Sequence, residues 1–140
     1  MRSARVISAL VAFVLTALIP LATAPGSSAA EQAARAIPCV EKAGKHHLCA
    51  SGKEIGDTNK FVAFGRVSTY KDRQIKVQRR NCGTCAWRFY KKTRTGADRG
   101  QFRTRIYPGK RGSKVCYRVV VPRTSKYEVT RLKVGCITTT

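Results

Sequence analysis

Between Arg73 and Val121 apolar and polar residues trade places through four short stretches: Gln74–Arg80, Ala86–Lys92, Gln101–Ile106 and Val115–Val121. Three of them alternate cleanly, and turn-forming residues separate all four. Successive side chains of an extended chain point to opposite faces, so period two predicts half-buried strands. The expected apolar face carries Ile75, Val77, Trp87, Phe89, Phe102, Ile106, Tyr117, Val119 and Val121, and the other face carries Lys and Arg. Upstream, Phe61–Ser68 is densely apolar and predicts a central strand; downstream, Tyr127–Cys136 predicts the last one.

Turn chemistry divides these runs. Asn81-Cys82-Gly83-Thr84-Cys85, Gly96-Ala97-Asp98-Arg99-Gly100 and Pro108-Gly109-Lys110-Arg111-Gly112 all hold residues that accept turn dihedrals. Val40 to Thr58 is polar and irregular; an edge strand is expected somewhere within it, at no position the pattern defines. Six or seven strands with no helical period predict an all-β fold, a sandwich or barrel. The expected division is residues 31–58 as an irregular N-terminal segment tied by cysteines and 59–140 as the β-domain.

The first 30 residues read as a processing segment. Arg2 and Arg5 precede the apolar run Val6–Ile19, then Pro20 and small residues through Ala30, the layout of a cleavable signal peptide. Cleavage after Ala24 would place Pro25 just past the scissile bond, so cleavage after Ala30 is preferred. The apolar run falls short of the ~20 residues a spanning helix needs. A secreted, extracellular product with no stable membrane insertion after cleavage is expected.

The chain has six cysteines, Cys39, Cys49, Cys82, Cys85, Cys116 and Cys136. An even count in a secreted chain reads as disulfides. Cys82 and Cys85 are expected to close a small loop on each other, and Cys39–Cys49 with Cys116–Cys136 is the preferred pairing of the rest. A phase conflict opposes the last pair. Cys116 lies on the phase opposite Tyr117 and Val119, whereas Cys136 shares the phase of Leu132 and Val134, so the sulfurs meet only through a bulge or slip.

Charge changes the picture most. There are 28 Lys and Arg against 7 Asp and Glu, a formal net of +21, or +19 once Arg2 and Arg5 leave with the leader. Such an excess attracts polyanions. Lys76, Arg80, Arg118, Arg131 and Lys133 all fall on the outward phase of their strands and are the candidate ligand-binding residues, with the loop Lys110–Lys114 at their end.

The order Phe-Gly-Arg-Val-Ser (64–68), Ile-Lys-Val-Gln-Arg-Arg (75–80), Trp87, Thr-Gly-Ala-Asp-Arg-Gly-Gln-Phe-Arg (95–103) and Cys-Tyr-Arg-Val-Val-Val-Pro (116–122) resembles a small immunoglobulin-like domain of secreted Gram-positive bacterial proteins. The resemblance covers roughly residues 60 to 136 and concerns packing and turn positions. It implies an immunoglobulin-like antiparallel β-sandwich, with the strands of residues 73–80, 114–121 and 127–136 as neighbours. It differs from that family in standing alone, in its six cysteines and in its basicity, and it speaks to fold more than to function.

Catalytic chemistry finds little support. Cys82-Gly83-Thr84-Cys85 lies between strand patterns, without the helix N-terminus that activates a redox pair. His46 and His47 are expected to be a surface pair, since adjacent histidines on an extended chain diverge and oxidised cysteines are not zinc ligands. The seven acids are scattered, and nothing selects a pair for glycoside hydrolysis. The expectation is a non-enzymatic protein, with no metal or cofactor, that binds anionic polymers of the cell wall or extracellular matrix through a basic sheet face. Nucleic acid is expected only as a non-specific partner, because no exposed aromatics interleave with the cations. The alternative is a small secreted effector, either membrane-active (toxin or antimicrobial) or a cystine-knot-like signalling protein.

Overall fold

The computed structural model describes residues 36–140, and the leader reading for 1–30 lies outside them. Eight strands follow one another: β1 Cys39–Val40, β2 Leu48–Glu54, β3 Phe61–Val67, β4 Gln74–Arg80, β5 Arg88–Arg94, β6 Gln101–Ile106, β7 Lys114–Val121 and β8 Thr130–Thr138. They form two four-stranded antiparallel sheets, ordered β1-β2-β3-β6 and β5-β4-β7-β8. Among the described residues there is no helix.

The inward phase of both sheets meets in one core. Leu48, Ala50, Ala63, Val67, Phe102 and Ile106 come from the first sheet; Ile75, Val77, Tyr117, Val119, Val121, Val134 and Ile137 come from the second. Two layers sharing one apolar interior is the arrangement of a β-sandwich. Gly65 makes room for the strands on either side of β3: a Cβ there would lie 2.1 Å from the Cys49 carbonyl oxygen of β2 and 2.8 Å from the Phe102 ring of β6.

The strand count exceeds the expected six or seven because residues 31–58 are not all irregular. Leu48 and Ala50 are fully buried and anchor β2, a seven-residue strand paired along its length with β3. The polar residues that obscured it, Ser51, Lys53 and Glu54, sit on its exposed half.

Two bulges set which side chains face out. In β8 the register slips between Tyr117 and Arg118, so Tyr117 opposes Gly135 and Arg118 opposes Lys133, leaving Val134 as the extra residue. Gly135 carries a φ of +154° there, a value L side chains rarely adopt. The slip moves Cys136 onto the phase of Cys116, directly opposite it, which resolves the phase conflict. The bridges are Cys39–Cys49, Cys82–Cys85 and Cys116–Cys136. They are sequential, not interleaved, so no ring is threaded as a cystine knot requires.

The second bulge corrects the expected apolar face. Val77 opposes Lys91 but Gln78 opposes Phe89, leaving Tyr90 as the extra residue of β5. Tyr90 turns to the core and meets Tyr117 edge to face, with ring centroids 5.4 Å apart. Phe89 and Trp87 are thereby thrown onto the outer face: Phe89 is 57% exposed, and Trp87 lies half-buried among arginines. The other seven residues of the expected apolar face are buried.

His46 is a second correction, because it is fully buried, not at the surface. Its Nε2 donates to the Pro122 carbonyl at 2.9 Å, which leaves Nδ1 to accept from the Thr69 hydroxyl at 3.0 Å. Its backbone N–H donates to Thr130 Oγ1 at 2.8 Å. Tyr70 and Tyr127 flank the ring. His46 therefore ties the approach to β2 to the β7–β8 connection, beside a parallel bridge between Lys45 and Glu128 and their ion pair. Burial pushes its pKa down, with the Pro122 bond opposing in part.

Candidate functional site

The outward phase of the β5-β4-β7-β8 sheet forms successive cross-strand rows. One row runs Phe89, Gln78, Arg118, Lys133; the next runs Lys92, Lys76, Val120, Arg131. A third runs Arg80, Cys116, Cys136, with Lys114 two residues before Cys116 on the same phase. The sheet thus brings Lys76, Arg80, Arg118, Arg131 and Lys133 onto one face. Directly opposed side chains in a sheet stand ~4.5–5.5 Å apart at Cβ, so Arg118 and Lys133 are like charges at close quarters.

No carboxylate answers them. The ion pairs among the described residues are Lys45–Glu128, His47–Glu41 and Arg94–Asp72, and only Arg94 belongs to this sheet, at its rim. The Arg118 guanidinium is held below its ordinary pKa by burial first and then by Arg131 and Arg80. It stays a cation at neutral pH, since arginine does not deprotonate in proteins. The neighbours that compensate Arg118 are a neutral amide and a ring. Its Nε donates to Gln78 Oε1 at 2.7 Å, and its guanidinium lies over Trp87, 4.5 Å from the ring centroid. The Arg80 guanidinium lies over the same ring at 4.7 Å. The Arg80 Nε is enclosed, and no protein acceptor reaches it.

The hairpin end that carries Trp87 is fixed by the Cys82–Cys85 bridge in the β4–β5 connection. Arg79, Arg80, Arg88 and Phe89 line a shallow depression beside it. A second depression places Lys110 and Ser113 of the β6–β7 connection beside Arg79 and Asn81, so the Lys110–Lys114 loop lies at this end of the sandwich.

Sequence reasoning missed Trp87, Phe89 and Lys92 as parts of this face. A signal was present: Phe89 and Tyr90 are adjacent, so regular alternation cannot bury both, and one must break phase. The candidate set also took in only one sheet, whereas Arg103 and Arg105 project with Lys53 and Arg66 from the outer phase of the other, around Val62 and Phe64. The excess charge coats both outer faces. What distinguishes the β5-β4-β7-β8 face is the two arginines gathered on one indole.

The histidines and cysteines offer no metal centre in the described residues. The rings of His46 and His47 are engaged in different directions, with His47 held by Ser68 and Glu41. Glu41 lies near Cys39 and Cys49, but those sulfurs are bonded to each other.

Fold and site together define a disulfide-bonded all-β protein of two antiparallel sheets with a cation-lined outer face. No protein-family model, curated protein or solved structure matches the chain.

Proposed function

We propose that the chain is a secreted, non-enzymatic protein whose immunoglobulin-like β-sandwich binds anionic extracellular or cell-surface polymers through the outer face of the β5-β4-β7-β8 sheet. The observation that carries the reading is the block of Lys76, Arg80, Arg118, Arg131 and Lys133 on adjacent strands, with like charges opposed and no acid among them. Such a cluster repels itself, and a polymer that supplies regularly spaced anions relieves that repulsion on binding. Secretion is supported by the leader pattern of residues 1–30 and by three disulfides, which persist in oxidising compartments. In the described residues no helix is long and apolar enough to cross a membrane.

The immunoglobulin-like reading has two supports beyond the resemblance. The middle strands β4 and β7 pair between β5 and β8, as in sandwiches where three or four strands of one sheet face the rest in Greek-key order. The Tyr117 hydroxyl donates to the Tyr107 carbonyl at 2.6 Å, tying β7 back to the preceding connection as a tyrosine corner does.

The test is elution from an immobilised polyanion as salt is raised. Arg118, Arg131 and Lys133 are replaced together by alanine in one variant, and Arg66, Arg103 and Arg105 of the opposite sheet in another. Both variants lose the same net charge. The first should elute at clearly lower salt and show a shallower dependence on log salt concentration. Equal shifts would mean that net charge alone governs retention and would sink the single-face reading.

A further inference from the structure

Cations explain attraction to a polyanion, but they do not explain why aromatic rings stand among them. The bulge at Val77/Gln78 turns Phe89 outward at 57% exposure, in the same cross-strand row as Gln78 and Arg118 and two residues from Trp87. Around it lie Arg79, Arg80 and Arg88, and the hairpin that carries it is clamped by Cys82–Cys85. Singly exposed apolar side chains are ordinary on protein surfaces. A ring held on a disulfide-pinned hairpin, amid guanidiniums gathered on a neighbouring indole, is a more particular arrangement.

Building on the polyanion reading, we propose that the polymer this face takes is a single-stranded nucleic acid, with a base stacked on Phe89 and flanking phosphates held by Arg80 and Arg118. Stacking needs a flat π surface on the ligand, which every nucleobase has and a purely anionic chain lacks. A forked guanidinium matches phosphate bidentately, and Trp87 holds two of them at 4.7 and 4.5 Å from one ring centroid, so little side-chain freedom is lost when they bind. A duplex buries both faces of each base in its own stack, so a ring presented on an open sheet face selects unpaired strands. Recognition is sequence-tolerant, because stacking and phosphate contacts carry no donor–acceptor code.

Trp87 is the sole tryptophan, so its fluorescence reports from inside the site. The disulfide-bonded protein is titrated with a short oligothymidylate, with its abasic counterpart of equal length, with the corresponding duplex and with heparin, at several salt concentrations. The oligothymidylate should bind roughly 5- to 150-fold more tightly than the abasic strand. Phe89→Ala should abolish that margin while leaving abasic binding unchanged, and Phe89→Tyr should restore it. Because the ring is exposed, both variants should melt with the native protein. Equal binding of base-bearing and abasic strands by the native protein would overturn the stacking proposal while leaving the polyanion reading intact. So would a Phe89→Ala variant that keeps the margin, or one that loses heparin binding and not oligothymidylate binding. Failure of all four probes to bind in a salt-dependent way would overturn both.

Discussion

Replacing Trp87 by alanine measures what the ring contributes from its outward position. Two guanidiniums lie over it, 4.7 and 4.5 Å from its centroid. A cation–π contact at a partly exposed site is worth ~0.5–1 kcal/mol, so the pair contributes ~1–2 kcal/mol. Apolar contact of the half-buried ring adds about 1 kcal/mol. Against that, its removal frees Arg80 and Arg118 to separate and hydrate, which returns part of the loss. The expected net cost is ~2 kcal/mol, whereas a tryptophan between the two sheets would cost ~3–5 kcal/mol. With a urea slope of ~1.5 kcal/mol per molar for a domain of this size, the unfolding midpoint should fall by ~1–1.5 M. Far-ultraviolet circular dichroism is the appropriate probe, because the variant has no tryptophan. A double-mutant cycle with Arg118→Ala isolates the contact and should return a coupling of ~0.5–1 kcal/mol. A loss above about 3 kcal/mol, or a coupling indistinguishable from zero, would refute the stacked outward ring.

Three further perturbations probe the frame that holds this face. His46 is neutral and buried with its folded pKa below the ordinary 6.5, so the unfolded chain binds the extra proton. Its contribution is therefore complete above pH ~6.5 and is lost as pH falls from there towards the folded value; unfolding free energy measured across that window should decline, and His46→Gln should flatten the decline. Opening the Cys116–Cys136 bridge by double alanine substitution releases a loop with a sequence separation of 20 and should cost ~3 kcal/mol, read as the difference in urea stability between variant and native protein. Gly65→Ala would drive a methyl group to 2.1 Å from the Cys49 carbonyl oxygen and should cost at least ~2 kcal/mol or prevent folding; a variant of native melting temperature would show that β2 and β3 are not so closely apposed.

The sequence made legible whatever obeys a constant period. Ile75, Val77, Tyr117, Val119 and Val121 are buried because β4 and β7 alternate without interruption where they pair with each other, and the same regularity places Lys76, Arg80 and Arg118 outside. Legibility ended where a strand took in one extra residue. Past the bulge in β5 every side chain exchanges faces, so Trp87 and Phe89 left the expected core, and Tyr90 entered it. Past the bulge in β8 the same exchange brought Cys136 to Cys116. His46 and β2 were hidden for a different reason. His46 is buried by partners distant in sequence, namely Thr69, Pro122 and Thr130, which no local window contains, and β2 is defined by its pairing with β3 rather than by a clean alternation of its own. Both bulges lie in the sheet where function is proposed. A perfectly alternating β5 would have buried the two rings and left a plain cationic sheet. One inserted residue instead sets an indole and a phenyl ring among guanidiniums, and that difference separates a surface that merely attracts anions from one with a means of gripping a flat ligand.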